Sequence, residues 1–295
     1  MEEEEDEEET KIPMREFDKR NINNPIFVPH IAECIITNLF KEEQSMPLDI
    51  SSFSRVQTEI QQNVRNIVVR WMINIHHHFK LSSQTLYNSV YYLDYILSHK
   101  NISKSDIQIL GASCLWEAAK LEEVKILDYT QIAEYCKNEY DVQDFENYER
   151  FILKQLLFRI QLPSPKEFLK RFLCGIDACK EIREVSFFLC ESSLYDYQIR
   201  AFLPSKVAFT IVLVATYSLN MQVPLPTLMG YAHMPDFNGL IICTKCIINA
   251  TNEVIERRDT TYQKYTSNKR TGAVLMIQFT DELFRKISYL DPLKN

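Results

Sequence analysis

The sequence predicts an all-α protein that consists of two tandem five-helix bundles. Apolar residues recur at helical spacing through most of its 295 residues. Its five glycines are too few for the many turns of a β-sandwich or barrel. Two apolar stretches rich in small residues, "LGASCLWEAAK" (110–120) and "VAFTIVLVATYSL" (207–219), each come third in a group of five helical patterns. Each stretch is therefore expected to form the centre of a bundle.

An acidic run, Glu2–Glu9, begins the chain. The sequence has 33 Lys and Arg against 40 Asp and Glu, and without the eight acids of this run the rest carries a net charge of +1. Because a run of like charges repels itself and stays solvated, we expect a disordered acidic tail over residues 1–28. The nearly neutral remainder favours no direct nucleic-acid partner.

The first predicted domain, residues 29–162, combines a leading helix with the first bundle. Ser82 is placed to cap the second helix of the bundle, and "SKSD" (103–106) is a capping-box pattern before the third. The pattern predicts a leading helix at 29–43, a linker at 46–53, and bundle helices near 56–79, 84–98, 107–121, 129–140 and 144–158.

A second predicted domain, residues 163–258, begins at "LPSPKEF". Ser164 can cap a helix there, Pro165 suits the first helical position, and Glu167 completes a capping box. The bundle helices are expected near 165–174, 181–194, 204–219, 226–229 and 237–255. A polar C-terminal extension with a final helical segment follows at 259–295.

Nothing in the sequence supports catalysis, a metal ion or a cofactor. Gly-rich phosphate loops, G-x-S-x-G and H-E-x-x-H are all missing from it. His76–His78 point about 100° apart on a helix, and the single C-x-x-C at 243–246 lacks a second pair. Eight cysteines scattered through helical patterns favour a reduced, intracellular protein, and the apolar stretch at 207–219 is too short to span a membrane.

The third helix of the first bundle carries an aromatic and a cation together. At about 100° per residue, a stripe ending at Leu121 is predicted to be buried, while Ser113, Trp116, Glu117, Lys120 and Glu123 share the opposite side. A tryptophan beside charged residues on such a face either shields a lysine stem or marks an interface.

Several segments, read in order, resemble the cyclin box and the second cyclin fold that follows it. They are "VRNIVVRWMINIHHHFKLSSQTLYNSVYYLDYIL", "IQILGASCLWEAAKLEE", "YERFILKQLLFRIQLPSPKEFLKRF" and "LPSKVAFTIVLVATYSL". The resemblance covers roughly residues 29–272. It is greatest to the A/B-type, mitotic-like cyclins, because a leading helix precedes the box and the tail "YQKYTSNKRTG" follows it.

The resemblance implies a heterodimer with a cyclin-dependent protein kinase. Lys120 and Glu149 match the paired residues that bind the kinase's mobile helix and the backbone near it. Charge-assisted hydrogen bonds of this kind contribute about 1.5–3 kcal/mol each. The full set of kinase-binding residues that the resemblance implies is Trp116, Lys120, Leu121, Glu122, Glu149, Leu153, Phe158 and Ile160.

Two further sets of residues follow from the same resemblance. A hydrophobic groove that docks Arg-x-Leu motifs of substrates or inhibitors would consist of Val64, Ile67, Val68, Trp71 and Gln108. Arg65 and Asp94 match a buried ion pair with a structural role.

Four positions depart from the family pattern. Asn74 stands where the groove usually has a Glu, and Arg70 replaces an Asp. Tyr95 replaces the Arg after Asp94, and Glu117 replaces an apolar residue beside the kinase-binding Lys. The R-x-x-L destruction motif expected in the N-terminus of mitotic cyclins does not occur before Arg150.

The resemblance implies a regulatory subunit, not an enzyme, that activates a cell-cycle kinase in the nucleus and cytoplasm. Two alternatives share the fold: a cyclin of a transcriptional kinase, and a cyclin-fold transcription adaptor. An adaptor should present a basic surface to DNA, whereas the body of this chain is nearly neutral. Neither a membrane nor a cofactor enters any of these interpretations.

Overall fold

Most residues in the described part of the chain lie in helices. A computed structural model describes residues 15–24, 28–125, 127–233, 237–267 and 270–291, which leaves the acidic run 2–9 outside the described residues. All regular secondary structure in these ranges is helical, which confirms the predicted all-α fold. The helices are α1 (Glu16–Arg20), α2 (Ala32–Glu42), α3 (Ile50–Val56), α4 (Gln62–Phe79), α5 (Ser83–His99), α6 (Ile107–Glu122), α7 (Tyr129–Ala133), α8 (Val142–Gln155), α9 (Pro165–Gly175), α10 (Lys180–Ser192), α11 (Pro204–Ser218), α12 (Leu225–Ala232), α13 (Leu240–Arg257), α14 (Thr260–Thr266) and α15 (Asp281–Ser288).

Helices α4 to α8 form the first bundle, with α6 at its centre. α6 packs against α4, α5 and α8. Gly111 lets α6 approach α4 closely, since a Cβ there would lie 2.7 Å from Cγ1 of Val68. The prediction that α6 is amphipathic, with one buried stripe ending at Leu121, is wrong. Ser113 and Glu117 are buried, whereas Leu121 is exposed. A helix surrounded by neighbours loses the amphipathic pattern on which that prediction relied.

Helices α9 to α13 form the second bundle around α11. α11 packs against α9, α10 and α13, and its side chains are almost all buried. Two of its buried hydroxyls are satisfied within the helix, because Thr210 and Thr216 each donate to the carbonyl oxygen four residues earlier at 2.8 Å. Despite the apolar character of α11, no helix in the described ranges has both the length and the hydropathy needed to cross a bilayer.

Local sequence signals define two helix starts as predicted. Ser82 accepts a hydrogen bond from the backbone N–H of Gln84 at the beginning of α5. Ser164 forms a capping box at the start of α9, where the carboxylate of Glu167 accepts from the Ser164 N–H at 2.8 Å and Pro165 takes the first helical position. These side chains satisfy backbone donors that a helix leaves free at its N-terminus.

Helix α1 corrects the prediction for the N-terminal region. Residues 1–28 were expected to be a disordered tail, but α1 within them packs against α9. Phe17 and Asp18 are buried, and Asp18 accepts two hydrogen bonds from Arg171 at 2.6 and 2.5 Å. A five-residue helix contains too few turns to show periodicity, and long-range contacts of this kind leave no local pattern in a sequence.

Helix α3 corrects a second prediction, since residues 46–53 were expected to be a linker. Asp49 caps α3 by accepting from the N–H of Ser51 at 3.0 Å. Phe53 is buried, with its ring 4.9 Å from that of Tyr197. The helix therefore belongs to the packed body and contacts α5.

A buried carboxylate, Glu191 on α10, joins the two bundles and the C-terminal extension. It accepts hydrogen bonds from Nε2 of His77 on α4 at 2.9 Å, from Nζ of Lys264 at 2.6 Å and from the Tyr265 hydroxyl at 3.1 Å. Burial alone would raise the pKa of Glu191, but these donors outweigh it and lower the pKa to about 2. The charged carboxylate therefore holds three parts of the chain together.

Candidate functional site

Lys120 and Glu149 lie at the centre of the candidate site. Lys120 is in the last turn of α6 and Glu149 is on α8, which packs beside it. The Lys120 ammonium lies 2.6 Å from Oε1 of Glu149, and the two side chains remain 23% and 29% exposed. A partner that covered this position could therefore reach both charged groups.

Trp116 supports the Lys120 side chain from the preceding turn of α6. The Lys120 ammonium lies 4.2 Å from the centre of the indole ring, within cation–π distance. The indole N–H donates to the carbonyl oxygen of Leu127 at 3.0 Å, and the ring packs edge-on against Phe145. Trp116 thus fixes where the ammonium lies, which explains why the two side chains are adjacent in the sequence pattern.

A second carboxylate, Glu117, also contacts Lys120. Its Oε2 lies 2.6 Å from the Lys120 ammonium, and its side chain is 8% exposed. The sequence pattern placed Glu117 on the side of α6 opposite the predicted buried stripe, whereas the structure buries it. Lys120 is consequently shared between Glu117 and Glu149.

Exposed apolar side chains surround the charged group. Leu121 is exposed at the end of α6, and Phe158, just after α8, is 69% exposed. Leu153 and Ile160 are half-buried. Leu157, which the sequence did not single out, is also exposed. The segment after α8 places Leu157 and Phe158 in the left-handed region, with φ of 51° and 59°. Such backbone is strained for residues other than glycine and turns both side chains outward.

Glu122 belongs to the same list of expected kinase contacts but faces another neighbour. Its carboxylate accepts from Nδ2 of Asn88 on α5 at 3.1 Å. Burial raises the pKa of Glu122, and the nearby Glu167 and Glu123 carboxylates raise it further. Glu122 therefore does not join the ion pairs of Lys120.

The expected docking groove is only partly open. Ile67 on α4 is 61% exposed, and Val64, Trp71 and Gln108 are half-buried. Val68 is buried against α6 and presents no surface to a ligand. The apolar surface available in this region thus centres on Ile67.

Two departures from the family pattern lie beside this surface and have partners inside the chain. The Asn74 side-chain oxygen accepts a hydrogen bond from the hydroxyl of Thr260 at 2.5 Å. Arg70 donates to Glu253 on α13 at 2.8 Å, and its guanidinium lies over the ring of Tyr195. The second bundle and the C-terminal extension therefore form one side of this region.

Arg65 and Asp94 form a bidentate ion pair in the core. Nε and Nη2 of Arg65 donate to the two Asp94 oxygens at 2.8 and 2.7 Å, and neither side chain is exposed. Nη1 of Arg65 donates to the carbonyl oxygen of Leu194 at 2.7 Å. The pair therefore links α4 and α5 to the second bundle.

The His76–His78 run does not converge on one point. His76 is buried with its Nε2 3.1 Å from the Ser82 carbonyl oxygen, whereas His77 contacts Glu191. Burial lowers the pKa of His76 to about 4. Among the residues that the structure describes, no group of His, Cys, Asp and Glu side chains has the arrangement of a metal site.

Comparison with protein families identifies two matching domains. The model of the cyclin N-terminal domain matches residues 34–161, and that of the cyclin C-terminal domain matches residues 163–278. Together they cover both bundles, most of α2 and most of the C-terminal extension before α15.

Individual relatives are A- and B-type cyclins. The chain is 31% identical over 200 residues to the G2/mitotic-specific cyclin-A of Hydra viridissima, spanning 67% of this chain and 48% of that protein. It is 30% identical over 267 residues to cyclin-B1-5 of Oryza sativa subsp. japonica, spanning 89% of this chain and 58% of that protein. The chain thus spans about half the length of the curated relatives it matches.

Two solved structures share the fold. A viral cyclin from herpesvirus saimiri superposes with a TM-score of 0.65 at 19% identity, covering 76% of this chain and all of that one. A chain of the yeast RNA Pol II CTD kinase CTDK-1 complex superposes with a TM-score of 0.59 at 13% identity, covering 83% of this chain and 88% of that one. At these identities, the similarity is one of fold alone.

Proposed function

Because this chain belongs to the cyclin family, we propose that it is a regulatory subunit that binds and activates a cyclin-dependent serine/threonine kinase in the control of cell division. The observation that carries the proposal is the pair of Lys120 and Glu149, accessible and surrounded by exposed apolar side chains. This combination of a charged pair with an apolar surround is typical of a protein interface. The A- and B-type relatives support the cell-cycle role.

The proposed mechanism is allosteric. The kinase has active and inactive arrangements, and a subunit that binds the active one more tightly shifts the population toward it. In a protein kinase, the active arrangement requires correct placement of a mobile helix beside the ATP site. Lys120 and Glu149 would hold that helix, while Leu121, Leu153 and Phe158 exclude water around them. The chemistry then takes place on the kinase.

Charge reversal of the two residues tests this proposal. Full-length chain is used to capture kinase from an extract of its own cells, and the captured material is assayed with histone as substrate. We expect wild type to retain kinase activity and both Lys120→Glu and Glu149→Lys to lose it. Lys286→Glu is the matched control, because it breaks an exposed ion pair on α15. Equal activity for wild type and reversals, with all proteins helical and monodisperse, would overturn the proposal.

The same assay separates the proposed cell-cycle role from its alternatives. A kinase that phosphorylates an RNA polymerase C-terminal repeat peptide in preference to histone would indicate a transcriptional kinase. Retention of promoter DNA or transcription factors with no kinase would indicate an adaptor. We place the protein in the nucleus and cytoplasm as part of the proposal, and imaging of the tagged full-length chain checks this.

Substrate docking at the surface around Ile67 is a second part of the proposal. Ile67 is the most exposed apolar side chain of α4 among the described residues, and Trp71 lies one turn further along. We expect an Arg-x-Leu peptide to bind there and Ile67→Asp to abolish the binding, as measured by fluorescence polarisation. Because Asn74 supplies no negative charge, the peptide's Arg should contribute little, so an Ala-x-Leu peptide should bind almost as well.

A further inference from the structure

The ion-pair cluster at the proposed kinase-binding surface carries an excess negative charge. One ammonium, that of Lys120, lies 2.6 Å from both the Glu117 and the Glu149 carboxylates. No other cation among the described residues lies within ion-pair distance of either carboxylate. One positive and two negative groups leave the cluster, which we define as Glu117, Lys120 and Glu149, with a net charge of −1.

Neighbouring polar groups do not compensate this charge. The Trp116 indole N–H already donates to the carbonyl oxygen of Leu127. The Tyr92 hydroxyl already donates to the carbonyl oxygen of Ile160. Arg150 follows Glu149 in the sequence but pairs with Glu146 at 3.2 Å. Within the described part of the chain, the charge is therefore balanced only by solvent, which reaches the cluster through the exposed fractions of Lys120 and Glu149.

A partner that covers the cluster removes this solvent. A carboxylate without a compensating cation then opposes binding, whereas a cation from the partner turns the same charge into attraction. Glu117 makes the net charge of the cluster negative, because Lys120 and Glu149 alone would be neutral. The Glu117 side chain is nearly buried already, so it cannot turn away into solvent when a partner binds.

We propose that the partner kinase places a basic side chain, Arg or Lys, against this cluster, and that Glu117 thereby selects which kinase binds. This inference rests on the proposed function, since it assumes that a kinase covers Lys120 and Glu149. A kinase with an apolar or acidic group at the facing position is rejected, because it would leave one carboxylate unpaired.

Neutralising Glu117 tests the inference. The kinase retained by wild type is identified, purified and titrated with the full-length chain by calorimetry. Glu117→Gln keeps the shape and removes the charge, and we expect it to weaken binding about tenfold or more. Glu256→Gln, which removes an exposed carboxylate from α13, is the matched control and should bind like wild type. Circular dichroism and thermal unfolding establish that each variant is folded.

Variants of the kinase supply a second test that leaves the fold of this chain untouched. Each Arg and Lys protected from solvent in the complex is replaced by Met. We expect one replacement to weaken binding of wild type about tenfold and to change binding of Glu117→Gln little, because the two residues act as a pair. Equal or tighter binding of Glu117→Gln, or the absence of any such coupled residue, would overturn the inference.

The outcomes also separate this inference from the proposed function. If wild type retains no kinase, or Lys120→Glu binds it normally, both are wrong. If Lys120→Glu abolishes binding while Glu117→Gln does not weaken it, the proposed kinase interface is supported and only the inference about Glu117 is wrong.

Discussion

Arg65 shows how strongly a single residue can stabilise this fold. Its guanidinium is fully buried and occupied by Asp94 and by the Leu194 carbonyl oxygen. Arg65→Met would leave the Asp94 carboxylate buried with Arg200 at 3.8 Å as its remaining cation. We expect a loss of about 3–5 kcal/mol in the free energy of unfolding, measured in urea.

The double variant Arg65→Met, Asp94→Leu is the control for this prediction. It removes both charges, so it should be more stable than Arg65→Met alone. If the single and double variants unfold at the same urea concentration, the unpaired carboxylate is not the cause of the loss.

Glu43 makes stability depend on pH near neutrality. It is buried just after α2, and its carboxylate accepts from the N–H and hydroxyl of Ser205 at the start of α11 at 2.8 and 2.6 Å. Burial outweighs these bonds and raises the pKa of Glu43 from 4.5 to about 7. Between these two pKa values, the folded chain therefore keeps a proton on Glu43 that the unfolded chain releases. The stability that this proton contributes is fully present below about pH 4.5 and is lost as the pH rises through about 7.

We expect Glu43→Gln to remove this loss. Its unfolding free energy relative to wild type should increase between about pH 5 and about pH 8, by up to a few kcal/mol. Urea unfolding at a series of pH values measures the difference, and Glu42→Gln, at an exposed neighbouring acid, is the control. A constant difference across this range would contradict the raised pKa.

At the scale of elements, the contact between α4 and α6 depends on Gly111. An alanine favours a helix by about 0.8–1.0 kcal/mol over glycine, yet a Cβ here would lie 2.7 Å from Val68 and 3.5 Å from the Met72 sulfur. We expect the steric cost of this Cβ to exceed the gain in helix propensity. Gly111→Ala should therefore lower the free energy of unfolding by about 1–3 kcal/mol, measured by thermal unfolding. The companion change Val68→Ala in the same chain should recover part of the loss.

The helices that sequence could predict are those with local signals or clear periodicity. Ser164, Pro165 and Glu167 lie within four positions, so the start of α9 is readable directly. Helix α1 depends on the contact of Asp18 with Arg171, which is distant in the sequence, and no local pattern encodes it. The buried position of Glu117 was missed for a related reason: only the packing of α6 on its neighbours determines which faces of that helix remain open.

Family resemblance, more than the residue pattern, singled out the residues of the candidate site. Spacing alone left Trp116 and Lys120 as either an interface or a shielded lysine. Their contact with Glu149 brings together residues from two helices, and a one-dimensional pattern does not contain that distance. The exposure of Leu157 depends on positive φ angles after α8, which a sequence rich in apolar residues does not reveal.

At the scale of the whole molecule, the C-terminal extension unites the two bundles. Lys264 and Tyr265 bind Glu191, while Leu283 and Ile287 of α15 are buried, and α15 packs on α11 and α13. A chain shortened to residues 1–258 would lose these contacts and leave Glu191 with His77 as its remaining ion-pair partner. We expect its thermal unfolding midpoint to fall by at least about 10 °C.

Glu191→Gln in the shortened chain distinguishes charge from apolar burial in this loss. The neutral amide no longer needs Lys264, so this variant should regain part of the lost stability. An unchanged midpoint after shortening would show that the extension is not part of the cooperative unit.

The two tryptophans of this chain give each proposed surface its own optical reporter. Trp116 underlies the Lys120 ammonium and Trp71 lies beside Ile67, and both indoles are half-buried. Indole emission shifts to shorter wavelength when water leaves the ring. In Trp71→Phe the emission should therefore respond to kinase but not to a docking peptide, and in Trp116→Phe to the peptide but not to kinase. One spectrometer can thus follow occupancy of the two surfaces separately without attaching a dye to either.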